Sequence, residues 1–293
     1  MRLTHTQAVG LMVANAAMWS IAGVVTRQLE SARSFEVTFW RSLFTVLALL
    51  VILPLLQGRG VFRKMRSAGP VLWLSGLCWA TMFTAFMIAL TLTTVANVLI
   101  TLAVGPLLTA LVARVTLGHQ IPWRTWGAIV IAGLGITWMF ADQIGGGVLL
   151  GSLVALGVPI AGAINWTVVQ RSHAQGHDID LVPAVMVGAV LSSLLTLPLS
   201  WPFQASVVDV SWLAMLGLIQ LAIPCALSVL CAQVLKAPEV SLLALLEVIF
   251  GITLVWLGAG EVPGPHVLTG GCLVLLALVG NEWLGWRQRE SKN

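Results

Sequence analysis

Charged side chains are scarce in this chain. Its 293 residues include 15 Lys or Arg and 11 Asp or Glu, so 9% are charged, whereas soluble domains average about 25%. Hydrophobic residues make up 58% of the chain, and so few charges could not keep the surface of a soluble protein of this size hydrated. We therefore expect lipid to surround most of the protein.

Motifs that the sequence lacks exclude several functional classes. The four cysteines lie in apolar runs without a CxxC pair, which indicates buried free thiols and predicts no metal site. There is no GxxxxGK[ST] phosphate loop and no GxSxG or HExxH motif, so we predict no enzyme, no ATP-driven transport and no cofactor. No basic stripe with interleaved aromatics occurs, which argues against a nucleic-acid partner.

Long apolar runs are what the sequence has instead. A transmembrane helix needs about 20 mostly apolar residues. Runs of this kind occupy residues 7–29, 35–56, 70–90, 95–117, 123–140, 148–170, 181–199, 211–235, 240–257 and 267–286. The connections are short, which favours antiparallel neighbours, and no segment is long enough for a soluble domain. The sequence therefore predicts an all-α membrane protein of ten transmembrane helices.

The distribution of basic residues predicts the orientation. Placing the N-terminus in the cytoplasm leaves only Arg27, Arg33 and Arg41 of the fifteen basic residues outside, all near the first outer loop. We therefore predict an integral protein of the cytoplasmic (inner) membrane with both termini cytoplasmic. Arg27 and Arg41 are expected near outer helix ends, where each reaches water or pairs with Glu30 or Glu36.

The runs divide into two similar five-helix halves, predicted at residues 1–141 and 148–293, with a glycine-rich stretch between them. Two landmarks recur in the same order in each half. The matching pairs are AAMWS (16–20) with AINWT (163–167) and VGPLL (104–108) with LEVIF (246–250). Because five is an odd number of spans, the halves must run in opposite orientations. Such inverted repeats are typical of transporters that bind substrate near the midplane.

These landmarks resemble a known family. The chain resembles the ten-helix EamA-type exporters of the drug/metabolite transporter superfamily over essentially its whole length. The residues that carry the resemblance are Trp19-Ser20, Phe39-Trp40-Arg41, Gly105-Pro106, Leu117-Gly118, Leu246-Glu247 and Gly260-Glu261. His119 stands where the family usually has Glu, and Val248 where it often has Pro. The resemblance implies a secondary transporter, nearest in kind to exporters of amino acids, aromatic amino acids included, and related metabolites.

Glu247 is the first candidate for a substrate contact. It lies inside the apolar run 240–257, far from any basic residue in the sequence. A carboxylate is costly in hydrocarbon, so it normally faces a cavity or a partner. Glu247 is interpreted as a ligand for a substrate ammonium or as a proton carrier. The alternative is a structural acid that bonds a neighbouring helix.

Further candidates are small polar residues and aromatic side chains inside the runs. Asn97 and Thr101 share one face of helix four, and Gly105-Pro106 permits that helix to kink. The candidate walls and hydrogen-bond partners of an organic substrate are Trp19, Trp79, Phe83, Asn165, Trp166 and Gln220. Interhelical hydrogen bonds and ordinary core packing are the alternatives for these side chains.

The leading hypothesis is a secondary transporter that exports small organic metabolites, with amino acids favoured, by alternating access. Helices one, three, four, six, eight and nine are expected to line the cavity, and helices two, five, seven and ten to form a scaffold. The expected partners are a small-molecule substrate and the lipid bilayer; proton coupling and the choice between monomer and weak oligomer stay open. The alternatives are export of drugs or nucleobase-like aromatic compounds, a non-transporting membrane sensor or scaffold, and an intramembrane enzyme.

Replacing Glu247 with glutamine tests its role. We expect Glu247→Gln to abolish or strongly reduce transport, because an amide neither attracts an ammonium group electrostatically nor carries a proton. Flux into liposomes that contain the variant, with the wild-type protein alongside, measures the effect, and circular dichroism establishes that the variant folds. Undiminished flux through a folded variant contradicts the functional interpretation.

Overall fold

A computed structural model of the chain describes residues 4–58, 60–67, 69–118, 120–140, 147–174, 181–232, 234 and 243–290. These residues form helices and connecting loops, with no strand among them. The helices are α1 (His5–Thr26), α2 (Ser34–Gln57), α3 (Val61–Ser67), α4 (Pro70–Leu92), α5 (Val95–Ala103), α6 (Gly105–Leu117), α7 (Trp123–Phe140), α8 (Gly147–Ala174), α9 (Leu181–Ser200), α10 (Val207–Met215), a π-helical segment (Leu216–Ala222), α11 (Ile223–Ala232), α12 (Leu246–Ala259) and α13 (Pro265–Glu290).

Seven helical stretches are long and apolar enough to cross a membrane. They are His5–Thr26, Ser34–Gln57, Pro70–Leu92, Val95–Thr116, Pro183–Ser200, Val207–Ser228 and Pro265–Gly285. Leu149–Asn165 and Leu246–Ala259 are shorter apolar helices. The all-α membrane fold is therefore confirmed, whereas the count of ten spans and the inverted repeat stay predictions.

Many large apolar side chains are exposed on this protein and some charged side chains are fully buried, which is the opposite of what a soluble protein shows. Leu55 and Leu257 are 79% and 77% exposed, whereas Glu36 and Arg41 are at most 1% exposed. In water such a surface would be an aggregation hazard, but in hydrocarbon it is favourable. The buried polar groups are therefore the ones that need a structural or functional explanation.

Two helices are interrupted at corresponding points. The fourth predicted span is broken at Val104, between α5 and α6, where Pro106 supplies no backbone N–H. α12 begins after Leu245, which adopts a helix-capping backbone close to that of Val104. α6 and α12 then end alike, at Gly118 (φ 69°) and Gly260 (φ 66°), in the left-handed conformation that glycine adopts without strain. Helix four is thus interrupted at the point where the sequence permits a kink, and α12 resembles α6 at both ends.

Helices from the first and second parts of the chain pack closely. α4 packs against α8 and α9, α7 against α13, and α1 against α12. The main hydrophobic core includes the buried side chains of Val95, Val98 and Leu99 on α5 and Val255 on α12. α5 therefore lies inside the bundle, and one face of α12 packs against α5 and α1.

Three carboxylates join distant parts of the chain at the end of the bundle where α1 ends. We call Glu36, Asp209 and Glu261 the carboxylate clamp. Asp209, in the first turn of α10, accepts hydrogen bonds from the backbone N–H groups of residues 30–32 at 3.0–3.1 Å. It also accepts one from the Ser206 N–H at 3.3 Å, and the Ser206 hydroxyl caps the same helix. Asp209 therefore ties the loop after α1 to the start of α10.

The other two clamp residues make similar connections. Glu36, in the first turn of α2, accepts hydrogen bonds from the backbone N–H groups of residues 204–205 at 2.8–3.0 Å. Glu261, just after α12, forms an ion pair with Arg27 Nε at 2.7 Å and accepts from the Val95 N–H at 2.7 Å. Each clamp residue thus links the first part of the chain to the second.

The prediction that Arg27 pairs with Glu30 or Glu36 is wrong. Its guanidinium pairs with Glu261 and also donates to two carbonyl oxygens at the end of α4, at 2.5 and 2.7 Å. Proximity in sequence suggested the acids of the first outer loop. In the fold, the end of α12 lies nearer to Arg27 Nε, and Glu36 is occupied by the loop after α9.

Removing the Asp209 carboxylate tests the clamp. Asp209→Ala leaves several buried N–H groups without an acceptor, so we expect a loss of stability of roughly 2–4 kcal/mol. The exposed Glu30, whose side chain has no described partner, provides the matched control: Glu30→Ala should change stability by less than about 0.5 kcal/mol. The midpoint of thermal unfolding in detergent measures both variants. Equal midpoints for the two variants contradict the role given to Asp209.

Candidate functional site

Arg41 lies inside the helix bundle, not near its outer end as predicted. It stands about two turns into α2 and is 1% exposed. Its Nη1 donates to the Gln220 Oε1 at 3.0 Å, and its Nη2 donates to the Phe83 carbonyl oxygen at 3.3 Å. α2, which is expected to belong to the scaffold, therefore carries a buried cation.

The π-helical segment positions Gln220 between α1 and α2. Gln220 is 3% exposed; its Oε1 accepts from Arg41 and its Nε2 donates to the Trp19 carbonyl oxygen at 3.5 Å. A π-helix holds one more residue in each hydrogen-bonded turn than an α-helix, and short π segments occur often at functional sites. The predicted hydrogen-bonding residue Gln220 thus contacts an arginine that the sequence analysis placed elsewhere.

A close approach of two backbones supports this arrangement. A Cβ at Gly217 would lie 2.7 Å from both the Arg41 carbonyl oxygen and the Phe44 Cβ, so only glycine fits. The Thr45 hydroxyl donates to the Arg41 carbonyl oxygen at 2.8 Å and lies 3.2 Å from the Gly217 carbonyl oxygen. α2 and the π-helical segment are therefore held in register at the level of Arg41.

Aromatic rings surround the Arg41 guanidinium on the α4 side. Its Cζ lies 5.6 Å from the ring centre of Phe83 and 5.8 Å from that of Phe86. The Trp79 ring packs against Phe83 at 5.4 Å, and the buried Trp79 Nε1 has no hydrogen-bond acceptor among the described residues. The predicted aromatic face of Trp79 and Phe83 is thus present, and it borders the buried cation.

Glu247 lies in the first turn of α12, directly after the helix break, and is half-buried. Gly251, one turn later on the same face, contacts Leu99, and a Cβ there would lie 3.7 Å from Ser20 Cβ. This spacing directs the Glu247 side chain toward α1 and α5 rather than toward lipid. In the part of the chain that the structure describes, its carboxylate has neither a hydrogen-bond donor nor an ion-pair partner.

Cys225 connects the two charges in space. Its buried thiol, on α11, lies close enough to interact electrostatically with both Arg41 and Glu247. The two charged side chains do not form an ion pair with each other within 4.0 Å. Both charged side chains therefore lie within electrostatic range of Cys225 and do not neutralise each other by direct contact.

The remaining polar candidates form hydrogen bonds within their own segment or to a neighbouring helix. Asn97 Nδ2 donates to the Thr93 hydroxyl at 3.0 Å, and the Thr101 hydroxyl donates to the Asn97 carbonyl oxygen at 2.7 Å. Asn165 Oδ1 accepts from the Ser75 hydroxyl at 2.6 Å, which joins α8 to α4. Helix stabilisation and interhelical bonding, the alternative for these residues, account for the bonds observed.

Of the two paired tryptophans Trp19 and Trp166, only the Trp19 side chain lies within the described part of the chain. Trp19 is half-buried against a cluster of Ala8, Met12 and Cys231. The Trp166 side chain lies outside the described part of the chain. A shallow apolar groove of about 610 Å³ beside Trp123 faces outward from α7, away from the Arg41 contacts, and is consistent with a lipid-facing surface.

An all-α bundle with an apolar exterior, and with inward charged groups that lack a counter-ion among the described residues, has the features of membrane transport proteins. Comparison with protein families supports this class. Residues 6–141, 136 of the 293 residues, match the model of the EamA-like transporter family, and the resemblance found from the sequence is confirmed. Members of the family are transporters rather than enzymes. The family match and the long apolar helices support an integral membrane protein, and the matched family transports small substrates.

The fold of the whole chain also has a solved counterpart. A solved crystal structure superposes on the chain with a TM-score of 0.64 at 14% sequence identity. The match covers 97% of this chain and 99% of that one, so the common fold extends beyond the family match. Among curated proteins, no match is found.

A single methyl group at position 217 tests the packing that holds Arg41. Gly217→Ala places a Cβ against α2, so we expect a destabilisation of roughly 1–3 kcal/mol and reduced transport. Gly133, on the exposed side of α7, has open space around its Cα, and Gly133→Ala should leave both properties unchanged. Thermal unfolding and liposome flux measure the pair. Equal behaviour of the two variants contradicts the proposed close contact.

Proposed function

We propose that this protein is a secondary transporter that exports small organic metabolites, with amino acids as the favoured class, across the cytoplasmic membrane. The observation that carries the proposal is Glu247, a half-buried carboxylate in the first turn of α12 that has no partner among the described residues and is directed toward α1 and α5. A substrate ammonium group supplies the partner that the described residues do not. This proposal follows the family's transport of small substrates and adds the chemical class.

The surroundings of Glu247 suit an organic amine. Gln220 Nε2 donates to the Trp19 carbonyl oxygen on α1, and the carboxamide oxygen of Asn15 is buried without a hydrogen-bond donor among the described residues. Asn15 lies one turn before Trp19 on the same helix face. Glu247 and the Asn15 oxygen are acceptors, and an ammonium group has three donors to offer.

Alternating access needs one end of the cavity to close while the other opens. In this structure the carboxylate clamp joins the chain's two parts at the end where α1 ends, which the basic residues predict to be the outer side. In the proposed cycle these bonds hold the outer side shut while substrate enters from the cytoplasm. Their separation lets substrate leave, and the breaks before α6 and α12 supply points at which helices bend.

The aromatic pair Trp79 and Phe83 favours a second candidate, export of flat aromatic drugs or nucleobase-like compounds. The two rings lie 5.4 Å apart, tilted at 41°, inside the bundle. An aromatic substrate ring stacks on such a face, with or without an ammonium group. Aromatic amino acids satisfy both candidates, whereas uncharged nucleobases make no use of Glu247.

Flux measured in liposomes that contain only this protein tests the proposal. A panel of radiolabelled amino acids, aromatic amines and nucleobases is offered with and without a pH gradient. We expect uptake of at least one amino acid above protein-free liposomes, and a dependence on the gradient if proton movement drives transport. Uptake restricted to nucleobases supports the second candidate. No uptake of any panel member contradicts both.

A further inference from the structure

The Arg41 side chain has more hydrogen-bonding capacity than its surroundings satisfy. A guanidinium has five N–H donors, and the described acceptors are Gln220 Oε1 and the Phe83 carbonyl oxygen. The Nε is buried and has no acceptor in the described part of the chain. Since both described acceptors are uncharged, they leave the charge itself without a counter-ion.

A charge in this position normally has a counter-ion. The penalty for burying an ion amounts to several kcal/mol even after the surroundings relax. Hydrogen bonds to neutral oxygens and the faces of Phe83 and Phe86 offset part of that penalty. The α2 sequence around Arg41 offers Glu36, but Glu36 is occupied by the loop after α9.

The neighbouring aromatic side chain adds a second unused donor. The Trp79 Nε1 is buried without an acceptor among the described residues, and its ring packs on Phe83. Arg41 and Trp79, which both lie against Phe83, therefore each have one buried N–H donor without an acceptor among the described residues. Asn15 Oδ1, on α1, is by contrast a buried acceptor without a donor among the described residues. The half-buried Glu247 carboxylate also has no donor among the described residues. Cys225 lies within electrostatic range of both charged groups.

We propose that Arg41 binds the carboxylate of the transported molecule, so that the site selects amino acids as zwitterions. The carboxylate accepts two hydrogen bonds from the free edge of the guanidinium, one from Nε–H and one from an Nη–H. The ammonium group lies at the opposite side, against Glu247. This inference rests on the proposed export of amino acids and adds the residue that distinguishes an amino acid from a simple amine.

Three compounds that differ by one charged group test the inference. They are phenylalanine, phenethylamine, which lacks the carboxylate, and 3-phenylpropionate, which lacks the ammonium group. In wild-type liposomes we expect the KM of phenylalanine to be roughly 10- to 100-fold lower than that of phenethylamine, as the loss of a charge-assisted hydrogen bond predicts. 3-Phenylpropionate should compete with phenylalanine.

Substitution of Arg41 should remove this preference. In Arg41→Gln the KM of phenylalanine should rise roughly 10- to 100-fold, while the KM of phenethylamine stays the same or falls. Continued phenethylamine transport shows that the variant is folded. Arg41→Lys keeps the charge but not the two-pronged geometry and should have an intermediate KM. Arg114→Gln, at an exposed position on α6, is the control and should leave all values unchanged.

Several results would overturn the inference. An unchanged phenylalanine KM in Arg41→Gln, with wild-type transport intact, rejects Arg41 as the carboxylate ligand and leaves the proposed function standing. Wild-type transport of phenethylamine and phenylalanine with equal KM does the same without any variant. If the wild-type protein moves no member of the amino-acid panel and neither phenylalanine nor phenethylamine, the proposed function fails and the inference fails with it.

Discussion

The burial of a guanidinium without a described carboxylate partner governs the central part of this structure. Arg41 is 1% exposed, and three elements contribute to its shell: α2 carries it, α4 supplies a carbonyl oxygen and two rings, and the π-helical segment supplies Gln220. Gly217 permits the close backbone contact that makes this shell possible. The packing of these helices is thus coupled to the solvation of one charge.

The three carboxylates of the clamp and the carboxylate of Glu247 have different environments. Those of the carboxylate clamp are saturated with hydrogen bonds, as Asp209 shows with four backbone N–H donors. Glu247 has no described partner at all. A saturated carboxylate stabilises one arrangement of the chain, whereas an unsaturated one retains the capacity to bind a ligand. The bundle therefore combines a firmly bonded end with a centre that is open to new interactions.

Two helix interruptions lie close to the polar groups inside the bundle. The interruption at Val104 lies next to Pro106, and the interruption at Leu245 places Glu247 in the first turn of α12. Backbone groups freed at such breaks are tolerated in a membrane protein only where protein or water surrounds them. α6 and α12 both end at a glycine in the left-handed conformation. α1 packs against α12 and lies beside both.

The sequence by itself determined that lipid surrounds the protein and that its fold is all-α, because hydropathy and helix length are local properties of each segment. Its short landmarks indicated the family. It also singled out Glu247, Gln220, Trp79 and Phe83, since polar or aromatic groups inside apolar runs are visible without a structure. Only the tertiary structure decided the role of Arg41 and the partner of Arg27. Arg41 and Gln220 are 179 positions apart, and Arg27 and Glu261 are 234 apart. Such contacts depend on how the helices pack, so a residue that the sequence places near a helix end can be a buried charge inside the bundle.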